Sequence, residues 1–114
     1  MNLQAEHHGD TVVIRVAEPR IDAACAVQFK DGFRELADQG TGRVLLDLDQ
    51  VDFLDSSGLG AIVAAMKYLA PDRRLELAAL TGTVEKVFRL TRMDSVFVLH
   101  SDIATALDAT ADAP

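Results

Sequence analysis

The chain has 114 residues, the size of one ordinary domain, and hydrophobic residues make up 49% of it, which excludes a disordered polypeptide. With 18 acidic residues against 11 basic ones the net charge is −7, and such a surface repels the phosphates of nucleic acid and of anionic membranes. A single cysteine, Cys25, cannot make an internal disulfide, the opening MNLQAEHHGD lacks the features of an export signal, and no apolar run approaches the ~20 residues that span a bilayer. These features predict a cytoplasmic protein that folds as one domain over 1–114, with 110–114 a frayed tail.

The first elements are strands. Leu3 to Glu6 reads as a weak one, "HGD" as a hairpin turn, and the β-branched run Thr11 to Ala17 as its partner. "EPRID" breaks the pattern. Ala26, Phe29, Phe33 and Leu36 then recur at helical spacing between Ala23 and Gln39. Asp22 stands in the N-cap position and Gly40 in the C-cap position of that helix.

Arg43 to Asp49 is an apolar run suited to a strand buried on both faces. Asp47 and Asp49 alternate with Leu46 and Leu48, and read as solvated strand-end acids. A helix is expected from Gly58 to Ala70, with Leu59, Ile62, Val63 and Met66 on one face and Pro71 ending it. Tyr68 is expected as a packed ring with its hydroxyl in solvent. Arg74 to Leu80 reads as a strand, and "TGTVEKVFRLT" as a helix with Val84, Val87 and Phe88 inward. Val96 to Leu99 reads as a last strand, and "SDIATALDA" as a closing helix capped by Ser101. Strands alternating with helices predict an α/β fold: a mixed, mostly parallel sheet of about five strands, opened by an N-terminal hairpin and carrying about four helices.

The chain is poor in catalytic constellations. His7, His8 and His100 do not stand at metal-ligand spacing with Cys25. Cys25, among alanines inside a helix, reads as a small packed residue. A triad of Ser56, Asp55 and His100 has no support from spacing. "DSSGLG" lacks the Lys-Ser/Thr ending of a phosphate loop and the three-glycine dinucleotide spacing.

What remains is that stretch itself, at a junction where a strand gives way to a helix. Asp55 and Ser56 fall at the lip of the sheet, where ligands and partners dock in open α/β folds. Ser56 or Ser57 reads most simply as the helix N-cap. Gly58 and Gly60 leave the first turn bare, open to close approach by a partner. The second reading of Ser56 is covalent. A phosphate there would sit at a helix N-terminus, where free N–H groups and the helix dipole favour an anion. It would add about −1.5 to −2 charges beside Asp55, and beside Asp22 if that acid shares the lip. The fold would tolerate that charge, and a partner packed on the turn would not.

"RID" before the first helix, "VLLDLDQVDFLDSSGLGAIV" in the middle and "VEKVFRLTRMDSVF" near the end resemble the bacterial anti-sigma factor antagonists, the stand-alone form of the STAS domain. The resemblance covers nearly the whole chain. It implies that Ser56, the first serine of Asp-Ser-Ser-Gly, accepts a phosphate. It implies that Asp22 contributes to kinase recognition, that Asp55 is the motif acid, and that Ser57 and Gly58 form the adjoining turn. With Leu59 and Gly60, these residues make up the expected partner-binding surface.

The implied partners are an anti-sigma factor serine kinase, with an ATP-binding, histidine-kinase-like fold, and a PP2C-type serine phosphatase. The unphosphorylated form binds the kinase, and phosphorylation releases it. ATP and metal belong to those partners, so the chain is expected to need no cofactor of its own; it is expected to have no catalytic activity, and a monomer is the default expectation. The chain departs from the common family pattern at "PRID", where members often carry a Gly-Glu pair, and at Ala23 and Ala24, where members often carry polar residues. The alternative is a partner-switching or scaffold subunit with a non-sigma output that works without phosphorylation.

Overall fold

The computed structural model describes residues 1–110; the expected frayed tail lies outside the described residues except for Thr110, which ends the last helix. The elements in chain order are β1 (Leu3–His8), β2 (Thr11–Val16), β3 (Arg20–Ile21), α1 (Ala26–Ala37), β4 (Val44–Asp47), β5 (Phe53–Leu54), α2 (Ser56–Leu69), β6 (Leu75–Ala78), α3 (Gly82–Leu90), β7 (Leu99–His100) and α4 (Ile103–Thr110). Five strands form one sheet in the order β1-β2-β4-β6-β7, and β3 and β5 form a separate two-stranded pair. β1 is antiparallel to β2, and the other neighbours are parallel. The expected mixed sheet with an opening hairpin is therefore present. The hairpin turns at Gly9, whose φ of 60° is the conformation glycine tolerates best.

The two faces of the sheet are unlike. One packs α1, α2 and α3 over Val12, Ile14, Val16, Val44 and Leu46, with Phe29, Phe33, Ile62 and Phe88 wholly buried above them. Burying each such side chain stabilises by about 1.5–3 kcal/mol, so this face holds the fold. The other face has only a small apolar cluster of Val13, Leu45 and Ala106, with Ile103 and Leu107 of α4 against it. The same face carries buried acids. Asp47 is 3% exposed, contrary to the solvated strand end expected of it. It is held by Arg15 Nε at 3.3 Å and by the Asp49 N–H at 3.1 Å. Burial pushes its carboxyl above the usual range despite those bonds. Glu76 is 2% exposed and meets Arg43, Arg74 and His100. Burial works against its charge, but His100 and Arg43 outweigh it and hold the carboxyl low.

Several boundaries differ from those the sequence suggests. α1 starts at Ala26, because Asp22 turns its carboxylate onto the Ala24 N–H at 3.1 Å and closes a turn outside the helix. Cys25 is consequently the residue before the helix, half-buried, with Sγ 3.4 Å from the Asp22 N–H. α1 ends at Asp38 in right-handed helical conformation, so Gly40 is not a left-handed cap. The inward face of α2 is Gly58, Ala61, Ile62, Ala65 and Leu69, while Leu59, Val63 and Met66 are only partly buried. A 3-10 turn occupies Met93–Ser95, and the last strand begins at Leu99 rather than Val96. α4 is capped by Asp102, which accepts the Thr105 N–H at 2.7 Å, rather than by Ser101. Tyr68 is 42% exposed, and its hydroxyl donates to Asp38 instead of standing free. Among the described residues, no helix is long and apolar enough to cross a membrane.

Candidate functional site

The short pair β3–β5 builds the lip. Arg20 lies opposite Phe53 and Ile21 opposite Leu54. An acid follows each strand, so Asp22 and Asp55 emerge side by side from segments far apart in the sequence. Neither strand exceeds two residues, too short for hydrophobic alternation to reveal.

Asp55 is the keystone. Its backbone is extended and stands just before α2. Oδ1 accepts the Gly58 N–H at 2.8 Å, and Oδ2 accepts the Ala23 N–H at 3.1 Å. One carboxylate thus caps α2 and ties the approach to α1 onto it. The expected serine cap is corrected: Asp55 does that work, and Ser56 and Ser57 are the first two residues of the helix.

The consequence is that both hydroxyls are idle. Ser56 and Ser57 are exposed, and among the described residues neither side chain has a hydrogen-bond partner. Their position still offers the N–H groups of the first turn and the positive end of the helix dipole.

The glycines are not equivalent. Gly58 is buried, and a Cβ there would stand 2.0 Å from the Ile21 carbonyl oxygen. Its bareness serves the packing of α2 on β3, not the approach of a partner. Gly60 is exposed with open space around it, and Leu59 is half-buried against the core.

Asp22 completes the charge pattern. Arg20 Nε donates to its Oδ2 at 3.2 Å, and that bond holds the carboxyl below its ordinary value. The Arg20 guanidinium also lies 4.1 Å from the centre of the Phe53 ring, which is 36% exposed. The only sequence signal of this stacked pair is an arginine and an aromatic at matching places in two short strands.

Both oxygens of Asp55 are occupied by backbone N–H groups, and His100 Nε2 sits 2.8 Å from Glu76 Oε1, so Ser56, Asp55 and His100 form no triad. Among the described residues no three His, Cys, Asp or Glu side chains are grouped to hold a metal ion.

The model of the STAS domain matches residues 2–106, and the chain belongs to that family. A Thermotoga maritima protein assigned as an anti-sigma factor antagonist is 29% identical over 101 residues, which cover 87% of this chain and 89% of the relative. The crystal structure of an anti-sigma factor antagonist from Mycobacterium paratuberculosis superposes with a TM-score of 0.85 at 26% identity, covering 97% of this chain and 94% of that one. The anti-sigma factor antagonist SpoIIAA in its unphosphorylated form gives a TM-score of 0.74 at 25% identity, with 96% of each chain covered. The phosphorylated form of SpoIIAA, from Bacillus, shares the fold at a TM-score of 0.68 and 24% identity, with 96% of this chain and 99% of that one covered.

Proposed function

We propose that the chain is an anti-sigma factor antagonist whose binding is switched by phosphorylation of Ser56. The observation that carries this reading is the idle Ser56 hydroxyl, exposed at the start of α2 while Asp55 performs the cap. Relatives named as anti-sigma factor antagonists, and a relative solved with and without phosphate, support it.

In the unphosphorylated state the lip formed by Asp22, Asp55, Ser57, Leu59 and Gly60 packs against an anti-sigma factor serine kinase and sequesters it. The kinase transfers the γ-phosphoryl group of its own ATP to the Ser56 hydroxyl. The added phosphate lies beside ionised Asp22 and the Asp55 carboxylate. Desolvating that cluster against a partner is costly, so the complex separates. Gly58 acts from beneath, by letting α2 close on β3. A PP2C-type serine phosphatase restores the hydroxyl. The chain itself is the substrate of both enzymes and performs no catalysis.

The test is a paired capture from the native cell with Ser56→Ala and Ser56→Asp as baits. An ATP-binding kinase of histidine-kinase-like fold is expected with the alanine bait alone. Recovery of the same proteins with both baits would sink the switch and favour a scaffold subunit.

A further inference from the structure

The sheet is unfinished at one corner. β6 pairs with β7 only through Leu77 and Ala78. In a parallel ladder, alternate residues turn their N–H and C=O to opposite neighbours. The Val44 N–H donates to Arg74 O and the Leu48 N–H to Ala78 O, so residues 74, 76 and 78 serve β4. The Leu77 N–H donates to Val98 O and the Ala79 N–H to His100 O, so residues 77 and 79 serve the β7 side. Leu75 belongs to this second set, and no strand lies there to meet it. Among the described residues its N–H and C=O have no hydrogen-bond partner, although Leu75 is only 6% exposed. Open peptide groups in such a place are costly, and a strand laid beside them removes the cost.

A groove of about 300 Å³ runs past that open edge, lined by Met66, Ala70, Pro71, Leu75, Val96 and Val98. Val96 and Val98 are 48% and 51% exposed. The charged groups lining the groove are Arg73, Arg74 and Glu76. Glu76 is already matched, because Oε1 meets Arg43 and His100 and Oε2 meets Arg74. The Arg74 side chain is 69% exposed. This corner is therefore positive on a chain whose net charge is −7.

We propose that the corner binds an extended, acidic segment of another protein, added as a short strand beside Leu75. The open N–H and C=O call for extended backbone. The apolar lining takes one aliphatic or β-branched side chain, and Arg74 takes a carboxylate flanking it. The groove lies at the C-terminal end of α2, about 20 Å along the helix from Ser56. A segment bound there leaves the serine free, so the site does not depend on the phosphorylation reading.

The test starts from a random-peptide display library selected against the whole chain, with the enriched peptides titrated into ¹⁵N-labelled protein. Enriched peptides are expected to join a β-branched residue to neighbouring acids, shift the Leu75 amide and slow its hydrogen exchange. Val98→Asp, on a half-exposed side chain, is expected to weaken them by about tenfold or more. Val96→Asp serves the same purpose should the first variant melt early, and Ser56→Asp is expected to leave binding unchanged. No enrichment, binding that leaves the Leu75 amide unmoved, or equal binding by both variants would overturn the proposal. So would a Leu75 amide already protected in the free protein, whether by its own tail or, with concentration dependence, by a second copy.

Discussion

Helices α2 and α3 both follow a strand, and both have hydroxyl residues at their start, yet the hydroxyls are used in opposite ways. At α3, Thr81 is the cap: its Oγ1 accepts the Val84 N–H at 3.5 Å and donates to Val51 O at 2.8 Å. At α2, Asp55 is the cap, and among the described residues the side chains of the two serines behind it have no hydrogen-bond partner. A hydroxyl at a helix start is structural only when no stronger acceptor stands before it. The carboxylate of Asp55 releases Ser56 from the capping duty, and so a substitution or a modification there is expected to change the surface and leave the fold alone.

That contrast can be broken from several sides. Gly58→Ala carries the largest expected effect, because its Cβ would stand 2.0 Å from backbone rather than from a movable side chain. A loss of about 3 kcal/mol in denaturant unfolding is expected. Asp55→Ala removes the α2 cap and the bond to Ala23 together, and is expected to cost about 2 kcal/mol in the same measurement. Thr81→Ala removes the cap of α3 and is expected to cost about 1 kcal/mol. Ser56→Ala removes a hydroxyl with no partner, and its thermal midpoint is expected to match wild type, within about 0.5 kcal/mol of stability. The sharpest form of the comparison is the ratio of the last two. Equal losses for Thr81→Ala and Ser56→Ala would mean that both hydroxyls are caps.

Where the sequence was readable, side-chain pattern and burial agreed. The β-branched run of β2, the apolar run of β4 and the 3.6-residue spacing of Phe29 and Phe33 all faced the core that their pattern required. The family motif coincides with the turn from β5 into α2. The differences have two sources, partners distant in sequence and acids that compete locally for helix-start N–H groups. Nothing local to "RID" or "FLD" shows that these dipeptides pair, and the pairing is what sets Asp22 beside Asp55. Asp55 rather than serine capped α2 because an acid one position earlier reached the Gly58 N–H first. Asp47 reads as a solvated end in the sequence because its partner, Arg15, sits on another strand.

The most direct measurement uses the chain with phosphoserine installed at position 56, compared with the unmodified chain in thermal melting and in binding to the captured kinase. The account predicts superimposable melting curves and an affinity lower by about a hundredfold, equivalent to about 2.7 kcal/mol. Unchanged affinity, or a phosphorylated chain that melts markedly earlier, would contradict it.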